Sequence, residues 1–151
     1  MNITYSLLLP RDEISVPVVR RVCGTALRDL GVVEPCVSDV QLAVTEACTN
    51  VLKHADGTAE EYEVTVEVNE QLCVIRVLDT GSGFEHEHLG REVVHEGAES
   101  GRGIQLMRAL VDTVNFISRP EVGTVVHLEK NLECNPDSVL MKLADRAAVT
   151  R

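Results

Sequence analysis

A glycine pair at the start of a predicted helix could bind phosphate. Gly101 and Gly103 flank Arg102, and the apolar residues that follow recur at helical spacing. Glycines in this position either end a loop or leave backbone N–H groups free at the positive end of the helix dipole. The motif alone leaves both interpretations open.

An acidic glycine motif lies upstream, at the end of a predicted strand. Asp79, Gly81 and Gly83 form the pattern D-x-G-x-G. Glycine permits both a sharp reversal of the backbone and the close approach of a ligand. The pattern also describes an ordinary Asp-Gly turn, so by itself it predicts a turn more readily than a binding site.

A polar ridge on a second predicted helix is the third candidate. Glu46, Asn50 and His54 recur every four residues, so their side chains stand over one another on one side of the helix. Such a ridge is either the solvated side of a surface helix or part of a site. Thr45 and Thr49 favour the site, because these mediocre helix formers lie where a solvated face would tolerate Lys or Gln.

The helix that carries this ridge spans residues 37–55 and must pack on a core. Its apolar residues recur at three- and four-residue steps, which predicts an amphipathic helix. We expect a cap near Ser38 and an end at Asp56 and Gly57. The apolar face comprises Val37, Val40, Val44, Ala47, Val51 and Ala55.

The remaining pattern predicts an α+β fold. Helical spacing and two-residue alternation define, in chain order, a strand at 2–9, a helix capped by Ser15 and ended by Gly31, the helix at 37–55, strands at 62–68 and 72–78 around a turn at 69–71, a helix from Gly101, strands at 113–118 and 124–132, and a short helix after Pro136. This order predicts a two-layer sandwich in which helices cover one face of a mixed, mostly antiparallel sheet.

One long segment has no periodic pattern. Residues 85–99 are polar, which predicts a loop that is either a functional lid or disordered. Its histidines, His86, His88 and His95, have acidic neighbours and no second ligand cluster, so we expect them to be solvated rather than bound to zinc.

Composition limits the classes of function. The chain has 151 residues, enough for one hydrophobic core, and a net charge of −10, which argues against nucleic acid or an anionic membrane as the main partner. No apolar run approaches the roughly 18 residues of a membrane helix. Five cysteines without a C-x-x-C pair fit a reducing cytosol, with the thiols buried as small hydrophobic groups.

Taken together, the motifs resemble a known ATP-binding domain. The ridge pattern E-x-x-x-N-x-x-x-H precedes a strand ending in D-x-G-x-G-F, a loop ending in G-x-G, and a strand that starts at Gly123 and Thr124. This order is similar to that of the Bergerat domain shared by gyrase, heat-shock chaperone, histidine kinase and mismatch-repair ATPases. The compact size and the phrase TEACTN at 45–50 look most like the anti-sigma-factor serine-protein kinases, over residues 5–132.

The resemblance implies roles for the residues on the phosphate side. Glu46 matches the general base that accepts a proton from the attacking hydroxyl, and Asn50 matches the residue whose amide oxygen binds Mg²⁺. Gly101 and Gly103 match the lid hinge and the helix start that faces the phosphates. Arg102 matches a position that could stabilise charge on the transferred phosphoryl group, and an outward-facing salt bridge explains it equally well.

The resemblance also implies roles on the base side. Asp79 matches the acid that accepts a hydrogen bond from the adenine amino group, and Thr124 matches the threonine that supports this contact. Gly81 and Gly83 match the glycines that let the backbone approach the base and the sugar.

The function that the resemblance implies is a bacterial, cytoplasmic ATP-binding regulator. It would use Mg²⁺ and ATP to phosphorylate a serine of an anti-sigma-factor antagonist, bind a sigma factor, and form a homodimer. Two alternatives stay open: a nucleotide-dependent protein-binding module without phosphotransfer, against which Glu46 argues, and a detached histidine-kinase catalytic domain, against which the missing phosphoacceptor helix argues. Residues 1–132 are expected to form the ATP-binding domain, followed by a C-terminal extension at 133–151.

Overall fold

The computed structural model describes residues 1–54, 60–79, 101–119 and 123–149. Within these residues the chain forms five strands and four helices: β1 (Asn2–Pro10), α1 (Val16–Asp29), α2 (Glu34–His54), β2 (Glu61–Asn69), β3 (Leu72–Asp79), α3 (Gly101–Leu110), β4 (Thr113–Arg119), β5 (Gly123–Asn131) and α4 (Val139–Val149). The strands lie in the order β1-β2-β3-β5-β4, and each neighbouring pair is antiparallel. The predicted α+β fold is confirmed, with helices packed on one face of the sheet.

The core lies between the helices and the inner face of the sheet, which is the face that the helices cover. Strand residues alternate between this face and the outer face, as the period of two requires. The apolar face predicted for α2 is confirmed, because its described members are fully buried: Val37, Val40, Val44, Ala47 and Val51. Ala55 lies outside the described residues.

The predicted start of α2 near Ser38 is wrong. The helix begins at Glu34, and the carbonyl of Val33 already accepts a hydrogen bond from the N–H of Val37 at 3.1 Å. Pro35 suits the first turn, because a helix N-terminus leaves its first N–H groups without intrahelical partners. The side chain of Glu34 also receives three hydrogen bonds from Arg28, which link the end of α1 to the start of α2. The predicted end at Asp56 and Gly57 lies outside the described residues.

The predicted position of Ser15 at the N-cap of α1 is confirmed, but the capping hydrogen bond is absent. The Ser15 hydroxyl instead donates to the carbonyl of Asp12 at 2.6 Å. Asp12 caps a 3₁₀ turn at Glu13–Ser15 by accepting a hydrogen bond from the N–H of Ile14 at 3.0 Å. The turn therefore takes the place of the predicted capping bond and turns the Ser15 hydroxyl toward the core.

The β2–β3 hairpin has a two-residue turn, whereas the sequence predicted a turn at 69–71. Glu70 adopts a φ of 54°, the left-handed conformation that lets the backbone reverse within Glu70 and Gln71. Asn69 therefore pairs with Leu72, and this register aligns Tyr62 with Asp79 at the other end of the hairpin.

The C-terminal helix is attached at its start. The N–H of Leu140 donates to the carbonyl of Leu30 at 3.0 Å, and the N–H of Asn135 donates to the carbonyl of Gly31 at 2.9 Å. Leu140 is fully buried, whereas most of the remaining residues of α4 are exposed or half-buried. Across the part of the chain that the structure describes, no helix combines the length and apolarity that crossing a bilayer requires.

Candidate functional site

The start of α3 packs directly against the polar ridge of α2. A Cβ atom placed on Gly103 would lie 3.2 Å from both the Oδ1 and Nδ2 atoms of Asn50 and 3.3 Å from Oε2 of Glu46. A side chain here would compress both groups, so glycine is the residue that allows α3 to approach them. The sequence interpretation of the ridge as an ordinary solvated face does not hold for Asn50, which is only 5% exposed.

Asn50 has an unused hydrogen-bonding group at this contact. Its Nδ2 atom is buried and finds no hydrogen-bond partner among the residues that the structure describes. A buried amide without a partner is destabilising by about 1–3 kcal/mol. Such a group is therefore expected where a bound ligand supplies the missing hydrogen bond. The carboxylate of Glu46, one helical turn earlier, is half-buried and accessible from outside. The two side chains therefore present polar atoms to the same space at the start of α3.

The first turn of α3 favours an anion in that space. The first N–H groups of a helix lack intrahelical acceptors and lie at the positive end of the helix dipole. Arg102 follows Gly101 in this turn and is exposed, so its guanidinium adds positive charge to the same end of the helix. Phosphate is a ligand that suits this combination.

Two buried polar residues lie on the inner face of the sheet, at the ends of the neighbouring strands β3 and β5. The paired register of β3 and β5 ends at Leu78 and Val125, so the next positions along the two strands are Asp79 and Thr124. Both side chains are 1% exposed. The neighbouring inner-face residues, Val77 of β3 and Val126 of β5, are apolar, so polarity begins at the end of these two strands.

Tyr62 forms the third member of this row, and the sequence analysis missed it. It lies opposite Asp79 in the hairpin register and is fully buried. Its hydroxyl lies 2.5 Å from the Oγ atom of Ser15, and because Ser15 donates to Asp12, Tyr62 is the donor in this bond. Burial raises the pKa of Tyr62 to about 12, so the phenol stays neutral. Its ring lies beside Asp79 in the paired register of the hairpin. The pairing depends on the two-residue hairpin turn, for which the positive φ at Glu70 leaves no local sequence signal.

The corner between β1 and α1 holds these elements in place. The N–H of Arg11 donates to the carbonyl of Glu60 at 3.0 Å, and its guanidinium donates to the carbonyl of Leu52 at 3.3 Å. Leu52 lies in the last turn of α2, just beyond Asn50. Arg11 therefore ties the end of the ridge helix to the strand that carries Tyr62.

The structure brings together part of the predicted site. Glu46, Asn50 and Gly103 meet at the α2–α3 contact. Asp79 and Thr124 occupy neighbouring strands, and α2 packs against both of those strands. Arg102 and Gly101 begin α3. Gly81, Gly83 and the loop at 85–99 lie outside the described residues.

The cysteines of the core do not contribute to this site. Burial raises the pKa of Cys23, Cys48 and Cys73 to about 12, so these thiols stay protonated near neutral pH. They act as small apolar groups between α1, α2 and β3, as the sequence predicted.

The chain is similar to proteins of known class. Residues 9–130 match the family model described as histidine kinase-like ATPase domain. A serine-protein kinase RsbW from Listeria monocytogenes is 34% identical, with 92% of this chain and 97% of the relative covered. An anti-sigma F factor from Pasteuria penetrans is 32% identical, with 66% of this chain and 71% of the relative covered.

A solved structure has the same fold. The crystal structure of the RsbU and RsbW domains of Rv1364c from Mycobacterium tuberculosis superposes with a TM-score of 0.66 at 17% identity. The superposition covers 86% of this chain and 32% of that longer chain, so this likeness concerns the fold alone. The sequence matches carry the assignment further: the chain belongs to the histidine kinase-like ATPase domain family, within the group of serine-protein kinases and anti-sigma factors.

Proposed function

We propose that this protein is a Mg²⁺- and ATP-dependent kinase that phosphorylates a serine of an anti-sigma-factor antagonist. The observation that carries the proposal is the packing of Gly103 against a carboxylate, Glu46, and a buried amide, Asn50: a Cβ atom at position 103 would lie 3.2–3.3 Å from both side chains. This contact sets a proton acceptor and an amide beside a helix start that favours phosphate.

The transfer requires an acceptor for one proton. The serine oxygen attacks the γ-phosphorus of ATP, the bond from this phosphorus to the bridging oxygen breaks, and ADP leaves with the bond's electron pair. The carboxylate of Glu46 takes the proton of the attacking hydroxyl. The first-turn N–H groups of α3 and the guanidinium of Arg102 stabilise negative charge on the phosphoryl group.

The residues present fit a magnesium ion shared with the phosphates. Mg²⁺ prefers oxygen ligands, keeps several waters and takes few protein ligands. Asn50 offers an amide oxygen as ligand, and its buried Nδ2 atom without a described partner is suited to a phosphate oxygen or a bound water. When bound, the ion would neutralise charge on the triphosphate; Asn50 would hold it and Glu46 would stay free for the proton.

We assign the adenine-binding side of the site to the buried residues Asp79 and Thr124 on the inner face of the sheet. The carboxylate of Asp79 is an acceptor suited to the adenine amino group, and Thr124 lies at the adjacent position of the neighbouring strand. Both are 1% exposed, so a base that reaches them is shielded from water. Gly81 and Gly83 are assigned to the backbone that approaches the base and the sugar.

The partners follow from the names of the relatives. An anti-sigma F factor and serine-protein kinases are among them, so we assign a sigma factor and its antagonist as binding partners of this chain. We also assign it a homodimeric state, a cytoplasmic location and a two-part organisation, with the ATP-binding domain at 1–132 and a C-terminal extension at 133–151. Homodimerisation is checked by sedimentation of the purified chain with and without Mg·ATP.

The central test follows phosphate. The antagonist that co-purifies with the chain from its source cells is isolated and incubated with the chain, Mg²⁺ and γ-labelled ATP. We expect label on a serine of the antagonist, stable to acid. Acid-labile label would indicate phosphohistidine and the histidine-kinase alternative. Absence of label on an antagonist that still binds in a nucleotide-dependent way would indicate a binding module.

A further inference from the structure

An uncharged strip runs along the solvent side of the helix layer beside Glu46. We call it the outer strip and define it as Leu42, Thr45 and Thr49 of α2 together with Leu106 of α3. Leu42 is 52% exposed and Leu106 is 40% exposed, although large apolar side chains usually lie inside. A single exposed leucine is ordinary, whereas these two lie together beside Glu46.

The threonines of the outer strip bond their hydroxyls to the helix backbone. The hydroxyl of Thr45 donates to the carbonyl of Gln41 at 2.7 Å, and the hydroxyl of Thr49 donates to the carbonyl of Thr45 at 2.8 Å. Both hydroxyls are thus directed back at the helix backbone, one turn earlier. The methyl groups are the remaining side-chain groups, so the two threonines extend the uncharged surface that begins at Leu42.

The packing of α2 on α3 joins the two leucines into one surface. Gly103 lies beside Glu46, and Lys130 bridges the carbonyl of Leu110 at 2.7 Å and the carboxylate of Asp39 at 3.5 Å. The two helices therefore run antiparallel, with Glu46 level with Gly103 and Asp39 level with Leu110.

This register sets Leu106 level with position 43 of α2, next to Leu42. Leu42 and Leu106 are the exposed large apolar side chains among the described residues of α2 and α3. Glu46 lies one turn along α2 from Leu42, about 6 Å at the helical rise. The outer strip therefore passes directly beside the proposed proton acceptor.

Three cations surround the outer strip, alongside the acids Glu46, Asp39 and Glu13. Arg20, Lys53 and Arg102 are exposed around it, on a chain whose net charge is −10. Arg20 also donates from Nε to the Thr45 hydroxyl at 3.2 Å. A cleft of about 330 Å³ between α1 and α2 continues the strip; Thr45, Thr49, Arg20 and Lys53 line it, and Glu13 is the acid in its lining.

We propose that the outer strip is the docking surface for the phosphoacceptor protein. It fits a segment with apolar side chains next to the acceptor serine and acidic residues at its margin, which the surrounding cations would pair. Docking there would bring the serine hydroxyl to Glu46. This inference rests on the proposed kinase function and names the surface through which that function selects its substrate.

The test separates docking from chemistry. Leu42→Ser and Leu106→Ser are compared with wild type for phosphorylation of the purified antagonist over a range of antagonist concentrations. Because each substitution removes a leucine that docking would bury, we expect the KM for the antagonist to rise about tenfold or more. The kcat and the affinity for Mg·ATP should change less than about twofold, since neither leucine contacts the site.

Controls keep the result specific. Leu8→Ser removes a leucine that is 60% exposed on β1, away from the strip, and should leave the KM unchanged. Leu42→Met, which keeps apolar volume, should restore most of the wild-type KM. Thermal unfolding of each variant checks that the fold is intact.

A threonine variant tests the chemistry assigned to the strip. Thr49→Val keeps the methyl group and removes a hydroxyl that is bonded to the backbone, so the KM should not change. Thr49→Asp introduces a charge that an acidic partner would oppose, and the KM should rise.

The outcomes distinguish the two proposals. A wild type that phosphorylates the antagonist while both leucine variants keep the wild-type KM would overturn the docking surface and leave the kinase intact. A wild type that transfers no phosphate would overturn the kinase function and the docking surface with it. A rise in KM equal in the Leu8→Ser control would also contradict the proposal, because it would make the effect non-specific.

Discussion

The two faces of the sheet carry polar groups in different ways. On the outer face, Nε of Arg76 donates to Nδ1 of His127 at 3.2 Å, and Nε2 of His127 lies 3.6 Å from the carboxylate of Glu129. On the inner face, Asp79 and Thr124 continue an apolar surface and are almost fully buried. The outer set keeps access to water, whereas the inner pair has none.

The difference indicates what each set is for. Half-exposed polar groups that pair with one another add little to stability and need no further role. Polar groups are rarely buried without partners, so contacts on the inner face hold Asp79 and Thr124 in place, and their polarity at the end of an apolar surface is what the proposed site uses. Substitutions on the two faces should therefore differ in their effects. We expect a loss of function on the inner face and only small changes in stability on the outer face.

The largest expected effect is on phosphotransfer. Glu46→Gln keeps the shape of the side chain and removes its capacity to accept a proton, so the transfer rate should fall about 10²- to 10⁴-fold. Mg·ATP affinity should hardly change. Glu129→Gln, a matched carboxylate on the outer face, should leave the rate unaltered. Label transfer and nucleotide binding are measured on the same samples; an equal rate for wild type and Glu46→Gln would remove Glu46 from the mechanism.

A smaller effect is expected on nucleotide binding. Asp79→Asn exchanges an acceptor for a mixed donor and acceptor, and Asn50→Ala removes the amide at the start of α3. Each should weaken Mg·ATP binding about tenfold to a hundredfold, the usual loss when a hydrogen bond to a charged group is removed. Asn115→Ala on the outer face is the matched control for Asn50. Calorimetric titration gives the affinities, and unchanged values in folded Asp79 and Asn50 variants would refute the site.

Gly103→Ala should separate stability from function. Alanine is the better helix former by about 0.5–1 kcal/mol, so local helix propensity favours the variant. The new Cβ would lie 3.2–3.3 Å from Asn50 and Glu46, which forces these groups to shift. We expect nucleotide affinity and transfer rate to fall several-fold while the midpoint of thermal unfolding stays within a few degrees. Gly24→Ala on α1 would be a poor control, because a Cβ there would clash with the side chain of Gln41.

The sequence predicted those helices and strands whose apolar residues recur at a regular spacing. The apolar face of α2 and the alternation of β2 and β3 follow from spacing alone, and they led to the correct fold class. The turn at Glu70 could not be predicted in the same way, because a positive φ at glutamate has no local signal. The expected turn at 69–71 moved the hairpin register by one residue and hid the pairing of Tyr62 with Asp79.

Parts of the site depend on contacts between distant segments. Nothing in the local sequence says that Gly103 approaches Asn50, since this contact requires the packing of α3 on α2. Asp79 and Thr124 lie far apart in the chain, and only the family resemblance linked them before the strand order was known. Sequence reasoning thus identified candidate residues, and the fold decided which of them meet.

The smallest expected effect concerns pH and the outer face. Burial lowers the pKa of His127 from its ordinary value of 6.5, with a further contribution from the nearby Arg76 guanidinium, and Glu129 opposes both. The bond from Nε of Arg76 requires an unprotonated Nδ1 on His127, so the folded state favours the neutral imidazole. Between the folded pKa and 6.5 the unfolded chain binds more protons, so stability rises with pH in that window and is lost as pH falls through it. His127→Gln should flatten this part of the curve measured by urea unfolding, and should leave phosphotransfer unchanged. A pH dependence identical in the variant would mean that other groups produce it, and a loss of phosphotransfer would show that the two faces are not independent.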